Sequence, residues 1–106
     1  MPDPRDLCRE RFVKNELAAR TYNDRRVGFE LRQGADDDET VPFVCECGDS
    51  ACTAALELSP EEFFAAHDAP NRFTVRPGHV DGDVEWIVEK DDRYWVVEKK
   101  PSAMTA

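Results

Sequence analysis

The sequence predicts a small α+β domain, and three observations carry that prediction. Residues 5–26 hold no Gly or Pro and are rich in Arg, Glu, Ala and Leu, the composition of a helix. Ser59-Pro60-Glu61-Glu62 is a helix start: Ser at the cap, Pro at the first helical position, and Glu three residues after the cap. Val84–Glu89 and Tyr94–Glu98, separated by Lys90-Asp91-Asp92-Arg93, have the length and composition of two strands joined by a hairpin turn.

Taken in order, the N-terminal helix has a thin apolar stripe. Cys8, Phe12, Ala19 and Tyr22 fall near one line, with Val13 and Leu17 beside it. Such a stripe can dock on a sheet or on a copy of itself, but it buries little alone. Residues 27–32 alternate apolar and other side chains and read as an extended segment or short strand. Residues 34–40 are an acidic loop. Three adjacent Asp lack the alternating spacing and distal Glu of a calcium loop, so the loop reads as a solvated linker. Val41–Val44 and Ala54–Leu58 are short strands flanking a cysteine-rich segment. The helix opened by Ser59 stops near Asp68-Ala69-Pro70, with Phe63 and Phe64 expected on the core. Phe73–Arg76 is a further strand, ending at Pro77-Gly78-His79. Trp86, Val88, Trp95 and Val97 are expected to share one buried face of the hairpin. The organisation is an N-terminal helical arm over residues 1–33 and an α+β domain over residues 41–100, folded as one unit.

With 106 residues, one domain is the natural count. Charged residues make up 35%, and no apolar run approaches the roughly 18–20 residues that span a bilayer. The N-terminus is polar, without the apolar stretch of a secretory signal, so the cytoplasm is the expected compartment and the thiols are expected to be reduced. Net charge is −9 but uneven. Residues 1–33 carry eight Lys/Arg and six Asp/Glu, a balance of +2, whereas residues 34–106 carry six and seventeen, a balance of −11. An acidic body repels phosphate backbones, which argues against nucleic acid as a partner.

The informative segment is Val44-Cys45-Glu46-Cys47-Gly48-Asp49-Ser50-Ala51-Cys52, a C-x-C-x4-C spacing. Three thiols within eight residues can converge on one centre. Thiolates favour zinc, copper(I) or iron–sulfur clusters over hard cations, and structural zinc takes four ligands in a tetrahedron. Three come from Cys45, Cys47 and Cys52. His79 is the favoured fourth, because the Pro77-Gly78 turn can swing it back toward a neighbouring strand end. Cys8 and His67 are the alternatives: Cys8 otherwise reads as a small buried helix residue, and His67 as a surface residue late in the second helix. If His79 ligates, its other ring nitrogen is expected to donate to a carbonyl or carboxylate. The expected cofactor is one Zn2+ per chain, and the fold class becomes a zinc-stabilised α+β domain with an N-terminal helix, a zinc knuckle, a short capped helix and a C-terminal β-hairpin. Size favours this: small domains often need a metal to hold together, and structural zinc supplies an apparent ~10–16 kcal/mol in model peptides.

Phe43-x-Cys45-Glu46-Cys47-Gly48-Asp49-x-x-Cys52, followed by Ser59-Pro60-Glu61-Glu62 and Phe73-x-Val75-x-Pro77-Gly78-His79, resembles a group of short bacterial proteins, mostly actinobacterial. Those proteins also open with an Arg- and Asn-rich helix, comparable to Asn15-Glu16-x-x-x-Arg20-x-x-Asn23. The resemblance implies that Cys45, Cys47, Cys52 and His79 belong to one motif; it implies no activity. The cysteine spacing is also similar to the post-SET zinc motif of histone methyltransferases, from which only the metal chemistry carries over, since this chain has no room for the catalytic domain.

Four protein ligands would close the coordination sphere. The chain has no Gly-rich phosphate loop, nucleophile elbow or HExxH helix. The function expected from sequence is therefore non-catalytic: a zinc-binding protein-interaction or regulatory module, meeting another protein or self-associating through the N-terminal helix. The alternative is a redox or metal sensor that releases zinc when its thiols are oxidised.

Overall fold

A computed structural model describes residues 4–49 and 51–101, with side chains from residue 14 onward. The elements in chain order are α1 (Pro4–Arg32), β1 (Val41–Val44), β2 (Ala55–Leu58), α2 (Pro60–Ala66), β3 (Arg72–Val75), β4 (Glu85–Lys90) and β5 (Trp95–Lys99). The fold is α+β. β1 and β2 form one antiparallel sheet, and β3, β5 and β4 form another in that order. Among the described residues, no helix is long and apolar enough to cross a membrane.

The strand alternation of side chains sets the first core. In β1 and β2, Val41 pairs with Leu58 and Phe43 with Leu56 on the inner face, while Pro42 and Glu57 pair outside. The Phe43 ring stacks on Phe63 of α2, centroids 4.7 Å apart. Val27, Ala66, Tyr94 and Val96 complete the cluster. α2 begins as the sequence predicts. Ser59 Oγ accepts from the Glu62 amide at 3.1 Å, and Glu62 Oε1 accepts from the Ser59 amide at 3.0 Å. Glu62 also pairs with Arg93 from the β4–β5 turn, and that guanidinium holds its carboxyl below the ordinary carboxylate range.

Three expectations are corrected. Residues 27–32 are not extended: α1 continues through Arg32 and ends at Gly34, φ +98°. The alternation there is only partial, and Val27 buries as a helical residue. Phe64 does not pack on the core and is half exposed, because a seven-residue helix has one inward side and Phe63 occupies it. Trp86 and Val88 are exposed, while Val97 is buried. β4 lies at the sheet edge, and its register against β5 shifts between Ile87 and Glu89, which breaks the alternation on which the expected common face depended.

Of the expected apolar stripe of α1, Leu17 and Tyr22 are exposed and Ala19 is half-buried, while the side chains of Cys8, Phe12 and Val13 lie outside the described residues. Among the described residues, polar side chains seat the helix, with Val27 as an apolar anchor. Asn23 donates from Nδ2 to the Val44 carbonyl at 2.8 Å and accepts the Val44 amide at 3.0 Å, so one side chain mimics a neighbouring strand. Arg20 Nη1 donates to the carbonyls of Ala69 and Arg72, each at 3.2 Å, and of Pro70. Asn15 Nδ2 donates to the Gly48 carbonyl at 2.8 Å.

Glu16 completes the seat. Lys99 Nζ of β5 lies between Glu16 and Glu85, and all three side chains are fully buried. Two carboxylates against one ammonium would leave a buried net charge, which is costly. Burial, reinforced by Glu85, pushes the Glu16 carboxyl up to about 9, so at neutral pH it keeps its proton. Its Oε2 has no hydrogen-bond partner among the described residues. The folded state thus holds a proton that the unfolded chain releases above its ordinary value of 4.5. The resulting stabilisation is complete below about pH 4.5 and is lost as pH rises through about 9. Between those limits stability should fall by up to ~1.4 kcal/mol per pH unit relative to Glu16→Gln, which mimics the acid without titrating. Urea unfolding of both proteins across this window checks it; parallel pH profiles would refute the assignment.

Candidate metal centre

β1 runs on past Val44 into the cysteine segment. The Cys45 amide donates to the Ala54 carbonyl at 3.1 Å, continuing the ladder with the β2 side, and the Glu46 amide donates to the Thr74 carbonyl of β3 at 2.8 Å. With the chain extended here, side chains alternate. Cys45 and Cys47 join Phe73, Val75 and Val97 in a second core cluster, with Cys52 packed against it. Glu46 points the other way, toward α1 and α2.

A turn returns the third thiol. The Cys52 amide donates to the Asp49 carbonyl at 3.0 Å, and Asp49 Oδ1 accepts from the Ala51 amide at 2.9 Å. His79 arrives from β3. The His79 amide donates to the Arg76 carbonyl at 2.9 Å with Gly78 at φ +89°, a turn with Pro and then Gly at its central positions, as a type II turn requires. Arg76 also donates its amide to Cys45 Sγ at 3.2 Å, so one residue both closes the His79 turn and hydrogen-bonds a thiol.

The four side chains expected from sequence converge. One ligand atom from each of Cys45, Cys47, Cys52 and His79 lies within 4.8 Å of every other. His79 Nδ1 is 3.7 Å from Cys45 Sγ and 3.5 Å from Cys52 Sγ. A tetrahedral zinc with Zn–S of about 2.3 Å and Zn–N of about 2.0–2.1 Å sets its S···N edges near ~3.6 Å. Those two edges match a tetrahedral ion, and the cluster can hold a metal; with four protein ligands such an ion has no open position. The other ring nitrogen of His79 finds no acceptor among the described residues, contrary to expectation. The turn that aims Nδ1 inward leaves the ring half-buried, beside an open cavity of about 260 Å3 that Asp49 and Asp81 also line.

Burial pushes the Cys45 and Cys47 thiols above their ordinary value; Cys45 and Cys52 add to the rise at Cys47, whereas hydrogen bonds from Arg76 and Cys47 partly offset it at Cys45. A cation among them reverses that balance, so metal uptake must displace protons.

Of the alternative ligands, the Cys8 side chain lies outside the described residues. His67 is neither a ligand nor a surface residue. Its Nε2 is 2.6 Å from Glu46 Oε1, its Nδ1 is 2.8 Å from the Phe63 carbonyl, and its side chain is buried. Both ring nitrogens face oxygen atoms of the protein, so the ring is fixed from two sides. Glu46 also accepts from the Thr74 amide and from Asn23 Nδ2, each at 2.8 Å. Sequence reasoning missed this network behind the centre. The available signal was the position of Glu46 between Cys45 and Cys47, where alternation puts it on the opposite face.

The chain matches no protein-family model, no curated protein and no solved structure.

Two outcomes follow. Cys52→Ser and His79→Ala each remove a ligand and should lower metal affinity by at least ~100-fold, read by chelator competition; affinity in the parent chain should rise with pH, because protons compete with the ion for raised thiols. Glu46→Gln leaves all four ligands in place but breaks a buried network, and should cost about 3 kcal/mol in chemical unfolding while metal content stays near one ion per chain.

Proposed function

We propose that this chain is a non-catalytic zinc-binding module in which one Zn2+, held by Cys45, Cys47, Cys52 and His79, organises a scaffold for protein interaction. The observation that carries the reading is the 3.5–3.7 Å spacing of His79 Nδ1 from two thiol sulfurs. That spacing supports a single tetrahedral ion rather than a multi-iron cluster, and a three-sulfur, one-nitrogen set suits zinc. The ligands come from the extension of β1, from the loop before β2 and from the turn after β3. Metal binding therefore joins the two sheets, whose cores are small. The closed ligand sphere supports a structural ion over a catalytic one, and the need for reduced thiols suits the cytoplasm. The same four-residue motif is proposed to be shared with the short bacterial proteins the sequence resembles.

A second reading, a redox or metal sensor releasing zinc on thiol oxidation, is favoured by the position of Cys52. It is half-buried, whereas Cys45 and Cys47 are buried, so an oxidant reaches one ligand before the others.

Elemental analysis of the purified protein should give one zinc per chain, and X-ray absorption should give three sulfur and one nitrogen scatterers with no oxygen. Chelation should abolish cooperative unfolding. Iron in place of zinc, or an oxygen in the sphere, would overturn the structural-zinc reading. Peroxide titration with a zinc indicator separates the two roles: zinc retained at low peroxide supports the scaffold, and early release supports the sensor.

A further inference from the structure

Two surfaces of opposite charge have no partner among the described residues. The first is on α1. At 100° per residue, Lys14, Leu17, Tyr22, Arg25, Phe29 and Arg32 fall within an arc of about 140°, and all six are exposed. The acidic residues of the described part of α1, Glu16, Asp24 and Glu30, fall outside it. This stripe lies opposite Glu16, Asn23 and Val27, through which the helix docks on its own body. It is both apolar and basic.

The second surface is the free edge of β4. Trp86, Ile87 and Val88 are three consecutive exposed apolar residues, 51%, 41% and 42% accessible, on a strand with β5 on one side and no strand on the other among the described residues. Exposed Asp83 precedes them in the chain, and exposed Glu89 and Asp92 follow them. Two cations lie nearby, Lys90 4.7 Å over the Trp95 ring and Lys100 over Trp86 while donating to the Gly82 carbonyl, so three acidic groups outnumber two basic ones. This surface is apolar and, on balance, acidic. Folded proteins commonly blunt such an edge by covering it with a helix.

We infer that the chain self-associates by laying the Lys14–Arg32 stripe of α1 of one copy over the β4 edge of a second copy. Charge decides the pairing. Two α1 stripes would oppose Lys14, Arg25 and Arg32 with the same residues, and two β4 edges would oppose Glu89 and Asp92 with themselves; like charges held together are disfavoured. The mixed contact is attractive and buries aromatic side chains on both sides, including a Trp, the residue type most often central to interfaces. A chain cannot make this contact with itself, because its own α1 is fastened by the opposite face. Made mutually, the contact closes on a two-fold axis and ends at a dimer. The inference deepens the interaction-module reading and rests on it, naming a second copy as the partner.

Sedimentation velocity on the full zinc-loaded chain tests it, with zinc content and far-ultraviolet circular dichroism measured on the same samples. A dimer is expected at micromolar concentration in about 50 mM salt, weakening in about 500 mM salt as the charges are screened. Arg25→Glu with Arg32→Glu should weaken it by roughly tenfold or more, as should Glu89→Arg with Asp92→Arg. Combining the four should restore it. Trp86→Ser should also dissociate the dimer. A monomer that keeps its zinc overturns the inference and leaves the module reading standing. A dimer indifferent to the helix reversals, or one the fourfold variant fails to restore, overturns it as well. None of the substituted residues is a metal ligand, so loss of zinc from the parent chain would count against the module reading instead.

Discussion

A single peptide segment, Cys45-Glu46-Cys47, holds the parts of this molecule to one another. Its backbone hydrogen-bonds to Ala54 beside β2 and to Thr74 in β3. Its two thiols enter the core cluster on one side, and its carboxylate gathers donors from Asn23, His67 and Thr74 on the other. Extended backbone is the constraint that makes this possible, since consecutive side chains must then point to opposite faces. That segment adds a second tie to the apolar cluster that brings both sheets and both helices together.

Polar contacts do much of the assembly, as the small cores require. α1 is fastened largely by Asn15, Glu16, Arg20 and Asn23, with Val27 as its buried apolar anchor. Buried polar groups cost free energy unless each is matched, so such a seat is demanding about geometry: Asn23 satisfies both backbone groups of Val44, and Lys99 needs two carboxylates of which one keeps its proton. Seating by matched polar groups leaves the apolar residues of the helix, Leu17, Tyr22 and Phe29, on its outer side, where they are surface rather than core.

The thiols follow a related logic. Buried sulfurs close to one another resist ionisation, and a metal ion is the partner that makes several thiolates tolerable together. The amide of Arg76 on Cys45 Sγ supplies part of that compensation from the protein itself. The candidate metal ligands and the Glu46 network therefore stand back to back: one side can hold a cation, and the other surrounds a carboxyl group with donors.

What the sequence determined by itself is local. Three cysteines in eight residues, a Pro-Gly turn before His79, and a capped start at Ser59 each act over a few positions, where chain geometry leaves little choice. Those features sufficed to group the three cysteines with His79 and to place α2. Tertiary structure decided what depends on distant partners. Glu16 and Lys99 are 83 residues apart, and neither reads as a core residue until the other is in place. His67 looks like a surface side chain until Glu46 arrives from 21 residues away. Trp86 and Val88 have the pattern of a buried face, yet a register shift and an edge position expose them. Short-range geometry is written in spacing, whereas burial of a charge or exposure of an aromatic is settled by whichever element the rest of the chain brings alongside.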